Sequence, residues 1–298
     1  MSIKDVLVCL DASEAGECRL RLAAGLAREH KAHLAAAYLL SEPGTVSGRV
    51  YGPGALGIGI AAPASARVGE GNGDGSNLER TPDVPQPVLQ AETVERRFRE
   101  TVQSGGIAGD WHLLDRGEAA ELIALARGTD LVIVGQHLPE APAGAEFRPE
   151  TIVVACGRPL LVVPYAGKFA SVGKRVLIAW DDTREAARAV HDALPLIAAA
   201  EAVTVVSVAG RGSDFEPGRP SLDRIVRHLE RHGLAVRSEE HVRGEITVCD
   251  VLLARAIDLG ADLIVAGAYH HSQFREAVLG GVSRELLDHM TVPVLMSH

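Results

Sequence analysis

The chain has 298 residues, of which 47% are hydrophobic, 23% charged and only 4% aromatic. That length suits about two domains, and aliphatic rather than aromatic apolar content suits buried parallel strands under Ala-rich helices. A net charge of −9 gives no general attraction for nucleic acid or anionic lipid and excludes both as expected partners.

The amino-terminal stretch carries Lys4 and Asp5 beside a short apolar run and reads as neither a signal peptide nor an anchor. No segment reaches the ~18 consecutive apolar residues that suggest a membrane span. Cys9, Cys18, Cys156 and Cys249 are scattered, with no C-x-x-C pair. They read as reduced thiols of a cytoplasmic protein, with Cys9 and Cys156 in apolar runs as inert core residues.

In chain order, the first signal is the run Val6-Leu7-Val8-Cys9-Leu10-Asp11, a buried strand ending in an acid. Residues 41–90 then form a stretch rich in Gly, Pro, Ala and Ser, read as a loop or partly disordered insertion. It contains a literal G-x-G-x-x-G at Gly52, Gly54 and Gly57. That motif is set aside because Pro53 interrupts it and no strand–turn–helix context surrounds it. A second apolar strand, Leu131 to Val134, ends in Gly135. The prolines at 139, 142 and 149 follow, with no Gly pair before a helix, and Leu160 to Val163 is a further strand.

The same three signals then recur in the same order. Val176-Leu177-Ile178-Ala179-Trp180-Asp181 echoes the first strand, Asp262-Leu263-Ile264-Val265-Ala266-Gly267 the second, and Val292-Pro293-Val294-Leu295-Met296 the last. A repeat of this kind decides the architecture. It divides the chain into residues 1–167, carrying the insertion, and 168–298.

The second copy is the more legible. After the strand Val176 to Trp180, Asp182 is read as a helix cap with Glu185 as its reciprocal partner. Ala186, Val190, Leu194 and Ile197 follow at helical spacing. Val203 to Val208 is a strand, and Leu222, Ile225, Val226 and Leu229 mark a helix stopped by Gly233. Its Arg224, Arg227, His228, Arg231 and His232 interleave with acids and read as a solvated face. Val236, Ser238 and Glu240 suit an edge strand. Cys249, Leu252, Leu253 and Ala256 form another helix stripe, Leu263 to Ala266 a strand, Val282 to Met290 a helix, and Val294 to Met296 the last strand. Strands alternating with helices imply right-handed crossovers. The fold class is therefore α/β, two tandem doubly wound domains with a five-stranded parallel sheet each.

Such sheets bind ligands beyond the carboxyl ends of their strands, where the strand order reverses. The first strands deliver Asp11 and Asp181 to that edge, and the fourth strands Gly135 and Gly267. In the second copy, Gly280 and Gly281 precede a helix, so free N–H groups and the positive dipole end would face an anion, with the Ser283 hydroxyl beside them. The bland readings are a tight strand-to-helix turn at the glycines and a helix-start role for Asp181.

The pattern V-L-I-A-W-D, A-D-L-I-V-A-G, G-G-V-S-R-E-L-L and V-P-V-L resembles the universal stress protein family, and the whole chain outside the insertion resembles a tandem member. The resemblance implies an adenine nucleotide alpha-hydrolase-like fold and an ATP loop of the form G-x2-G-x9-G-S/T. Carried over, its glycines fall on Gly267, His270 and Gly280, its hydroxyl position on Gly281, and the next two residues on Val282 and Ser283. Asp181 would lie near the adenosine, with Ala179 and Val208 on the adenine side. The departures are His270, which replaces a glycine that lets backbone approach the ligand, and Gly281, which removes a donor. The first copy departs further and is expected not to bind nucleotide. The resemblance also implies that the last strands of the two copies meet in an internal pseudo-dimer, and it is compatible with a homodimer.

Among other constellations, the adjacent His270 and His271, with His241 or His289, lack metal-ligand spacing, and no G-x-S-x-G signals a nucleophile. The expected function is a stress-response protein that binds ATP, with Mg2+, or a related small molecule in its second domain without turnover. The alternatives are a scaffold or signalling module with closed pockets and, weakest because no base can be set against a phosphate, a slow ATP hydrolase.

Overall fold

The computed structural model describes residues 2–40, 49–51, 86–115, 119–137, 148–209, 220–242, 244–268 and 281–298. In the first half these form β1 (Asp5–Leu10), α1 (Glu14–His30), β2 (His33–Leu39), β3 (Arg49–Tyr51), α2 (Gln86–Gly105), β4 (Gly109–Leu114), α3 (Ala119–Arg127), β5 (Leu131–Gly135), α4 (Pro149–Cys156) and β6 (Leu160–Val163). The second half follows with β7 (Arg175–Ala179), α5 (Arg184–Ile197), β8 (Ala202–Ala209), α6 (Pro220–Arg231), β9 (Val236–Val242), α7 (Val248–Leu259), β10 (Leu263–Gly267), α8 (Gly281–His289) and β11 (Val294–Ser297).

One eleven-stranded sheet runs through these residues in the order β3-β4-β2-β1-β5-β6-β11-β10-β7-β8-β9. Counting the five parallel strands of each half separately, both follow the doubly wound order 3-2-1-4-5. The halves join through β6 and β11, which pair antiparallel with Leu160 opposite Met296 and Val162 opposite Val294. The segment 41–90, expected to be loop, differs at its ends. Arg49–Tyr51 adds an antiparallel edge strand to β4, and Gln86 opens α2. The apolar spacing of Ala91, Val94 and Phe98, all buried, gives that helix its inner face. The Gly52, Gly54 and Gly57 motif lies outside the described residues.

Strand alternation divides the core into two layers. Val6, Val8 and Leu10 belong to the layer that also holds buried residues of α1, α2, α5 and α6, whereas Leu7 and Cys9 belong to the layer that holds those of α3, α4, α7 and α8. The same alternation carries across the junction. Leu161 and Leu295 face the first layer, and Val162 and Val294 the second. Burial pushes the thiols of Cys9 and Cys249 up to about 12, which suits inert core residues.

The repeated Asp-Leu pair has a physical reason. The Asp130 carboxylate accepts from the N–H groups of Lys4 (2.7 Å) and Asp5 (3.1 Å). Asp262 likewise accepts from Gly173, Lys174 and Arg175 at 3.0–3.1 Å. Each acid thus fastens the start of its half's first strand to the start of the fourth. At the junction, the buried Gln136 amide donates to the Leu287 and Asp288 carbonyls at 2.9 and 3.1 Å, and its oxygen accepts from Tyr165 N–H at 3.3 Å. It satisfies last-turn carbonyls of α8 that the helix itself leaves open.

Helices α5 and α6 meet through three imidazoles. The His191 and His228 rings lie 5.1 Å apart, and His228 and His232 4.8 Å. Burial and the nearby His191, His232 and Arg231 all push the His228 pKa down. A depressed histidine stabilises the fold above its ordinary pKa and loses that contribution as pH falls through the folded value. Lowering the pH from about 7.5 to 5.5 should therefore reduce Tm in the native protein, and His228→Gln should flatten the slope. Differential scanning fluorimetry reads this directly, and parallel slopes for the two proteins would contradict it.

Candidate functional site

At the carboxyl end of β7 the chain must leave the sheet and enter α5, and the turn is held by side chains. Thr183 is the N-cap of α5, accepting from Ala186 N–H at 3.1 Å. Asp182, expected to be the cap, instead takes a left-handed backbone (φ 63°), a conformation that Asp tolerates better than most residues. The cap moves one residue on because Thr183 has the extended backbone a capping side chain needs. Glu185 accepts from Arg184 Nε rather than closing a box with Asp182.

Asp181 Oδ1 accepts from the Thr183 N–H (3.2 Å) and hydroxyl (2.7 Å). Its first task is therefore to shape the strand-to-helix turn. Asp11 does the same with the N–H and hydroxyl of Ser13 in the first half. Beyond this shared turn the halves part. In the first half, Arg19 of α1 is 4% exposed, pairs with the second Asp11 oxygen, and donates through Nε to the Cys9 carbonyl at 2.7 Å. Its Nη1 lies so close to Gly135 that a Cβ there would meet it at 2.2 Å. The guanidinium fills the space between the ends of β1 and β5. Six residues after the helix cap, where α1 has Arg19, α5 has Ala189.

The second half accordingly keeps a cleft of about 320 Å³ at its carboxyl edge. Ala179, Asp181, Val208, Gly267, Gly281, Val282 and Ser283 all border it, so the structure brings together every described residue of the expected site. His270, His271 and Gly280 lie outside the described residues. The Gly281–Ser283 segment opens α8, so its backbone N–H groups and the positive dipole end lie at the cleft. A Cβ on Gly281 would meet open space. Gly267 is required by packing, since a Cβ there would strike Ala186 N at 2.6 Å and the Glu185 carbonyl carbon at 2.8 Å.

Sequence reasoning missed several wall residues. Val206 shares one face of β8 with Val208, Val248 and Leu252 are one turn apart on α7, and Leu286 lies a turn beyond Val282 on α8. These periodicities were visible, but nothing in the sequence aimed them at the same cavity. Trp180, Thr183 and Glu185 also border it. Of the histidines weighed as ligands, His241 is engaged by Glu239 at 3.0 Å and His289 by the Glu285 carbonyl at 3.0 Å. Among the described residues no group of three His, Cys, Asp or Glu is placed to hold a metal. No described helix is long and apolar enough to cross a membrane.

The strand order defines an α/β protein built of two doubly wound, parallel five-stranded units joined edge to edge. Residues 173–298 match the model of the universal stress protein family. The solved structures extend the fold likeness to the whole chain. A universal stress protein from Archaeoglobus fulgidus DSM 4304 is 15% identical with a TM-score of 0.63, covering 98% of this chain and 97% of its own. A functionally unknown protein from Pseudomonas aeruginosa PAO1 is 16% identical with a TM-score of 0.57, covering 99% and 92%. No curated protein matches the chain.

The Arg19–Asp11 pair makes a clear prediction. Burial works to raise the Asp11 pKa, but the Arg19 charge and the Ser13 hydrogen bonds outweigh it and hold the carboxyl below its ordinary 3.8. A depressed carboxylate contributes stability above its ordinary pKa and loses it as pH falls through the folded value. Asp11→Asn should cost about 1–2 kcal/mol near neutral pH, allowing for the half-exposed carboxylate. Urea unfolding should show that gap narrowing as the pH falls below 3.8. A gap that stays constant with pH would contradict the ion pair's role.

Proposed function

We propose that the second half binds ATP, with Mg2+, or a related small molecule in the cleft beside Asp181, without turnover, and that the first half is its non-binding partner. The observation that carries this reading is the difference between the two carboxyl edges. One is filled by Arg19, and the other is a cleft of about 320 Å³ bordered by α8's first turn. That volume lies at the small end of the ~300–1,000 Å³ range of ligand sites. Apolar Ala179, Val206, Val208 and Leu252 offer a surface for a flat ring, while the α8 N–H groups and Ser283 lie where polar atoms can be met. An open cleft favours this reading over a scaffold with closed pockets. Residues 168–298 would form the binding domain and 1–167 its companion in an internal pseudo-dimer. The fold also permits a cytoplasmic homodimer acting in a stress response.

The reading is tested by mass spectrometry of small molecules released from the purified protein, with calorimetry using ATP and Mg2+. One bound molecule per chain is expected. Val208→Trp, which places a large ring in the cleft, should weaken binding by at least about tenfold. A protein that releases no ligand and gives no heat with ATP or adenosine would overturn the proposal.

A further inference from the structure

The two outer ends of the sheet are finished differently. In the first half the third parallel strand, β4, is covered by β3, which pairs with it antiparallel, Val50 opposite His112. Its counterpart in the second half, β9, ends the sheet, and no described strand lies beyond it. β9 offers a seven-residue edge, Val236–Val242, and an edge of unpaired backbone groups is a template for another strand.

The ladder with β8 shows which groups face outward. The Val203 N–H donates to the Ala235 carbonyl at 3.0 Å. Successive residues of a strand present their backbone groups to opposite sides, so Ala235, Arg237, Glu239 and His241 face β8. Val236, Ser238, Glu240 and Val242 turn theirs away from it. Arg237 and Ser238 are exposed, and Val242 is 59% exposed. Arg237 has no ion-pair partner among the described residues.

Charges along an edge deter pairing unless the register sets opposite signs together. A twofold axis makes two copies of one strand antiparallel and self-complementary. Centred on Ser238, that arrangement sets Ser238 against the partner's Ser238 as a hydrogen-bonded pair, as two outward-facing residues require. Arg237 then stands opposite the partner's Glu239, twice across the axis. Within its own chain Glu239 pairs with Arg255, which also meets Asp258. With His241 neutral, these three groups carry one net negative charge, so the attraction for Arg237 survives. Centring on Glu239 instead would set the two Glu239 carboxylates face to face, which is destabilising.

We propose that β9 is a self-association surface, at which two chains pair antiparallel about Ser238 and continue the sheet across a twofold axis. It repeats between chains the antiparallel join that β6 and β11 make within one. The second chain supplies to β9 what β3 supplies to β4. The inference stands apart from the small-molecule reading, since no residue of β9 borders the cleft.

Sedimentation velocity on the full chain, from about 1 to 100 μM, should show a monomer–dimer equilibrium. Ser238→Pro removes the central outward N–H and no bond to β8, a place where an edge strand tolerates proline. It should leave Tm unchanged and weaken the dimer by at least about tenfold. Arg237→Glu sets like charges opposite each other and should weaken it by about tenfold. Raising NaCl from about 50 to 300 mM should also weaken the native dimer. If Ser238→Pro fails to fold, Arg237→Glu, at an exposed side chain, decides by itself. A native chain that stays monomeric, or a dimer that either folded variant leaves unchanged, would overturn the proposal. Protection of the Ser238 amide from exchange in the monomer would overturn it too, because the chain would then cover its own edge.

Discussion

The antiparallel pairing of β6 with β11 fixes everything else about the molecule. Each half has five parallel strands, and the last of them is apolar, buried on both faces, and would otherwise present an open edge. Joining those two edges buries Leu160, Leu161, Val162, Val294, Leu295 and Met296 completely or nearly so and leaves β3 and β9 as the outer strands. It also sets the directions. The five parallel strands of each half run together and the halves run opposite ways, so their carboxyl edges lie on opposite rims of the sheet. Helix α8 spans the distance between them. Its first turn borders the cleft of the second half, and its last carbonyls receive the Gln136 amide just beyond β5 of the first.

Within that frame the duplicated edges diverged through few changes. Both retain an acid two residues before the helix cap, and in both that acid first shapes the turn. Arg19 then makes the first half self-sufficient. A buried guanidinium is costly to desolvate unless it is paired, and here the Asp11 carboxylate meets its Nη2 and the Cys9 carbonyl its Nε. In the second half the small Ala189 asks for nothing, and Asp181, among the described residues, is engaged only by Thr183. A ligand in the second half would occupy the place that Arg19 takes in the first.

Much of this was legible in the sequence because the signals were periodic. The paired strand runs, the helix stripes of α5 to α7 and the Gly233 stop all follow from alternation or helical spacing, and the family resemblance gathered Ala179, Asp181, Val208 and Gly267 at one edge. The misses were matters of local backbone and long-range placement. Asp182 and Thr183 are both good caps on residue type, and only the left-handed turn at 182 decides between them. Arg19 and Arg21 are two residues apart on α1, and nothing local says that the first is buried against Gly135 while the second is exposed. Glu185 read as a capping acid because its position fits a capping box, whereas its burial depends on how α5 meets the end of β10.

The account turns on one half being open and the other filled. Amide hydrogen exchange of the full chain, with and without saturating adenosine, tests this most directly. Protection is expected at residues 179–186 and 281–286, with no change at 9–19. Protection at residues 9–19 as well, or at neither edge, would contradict it.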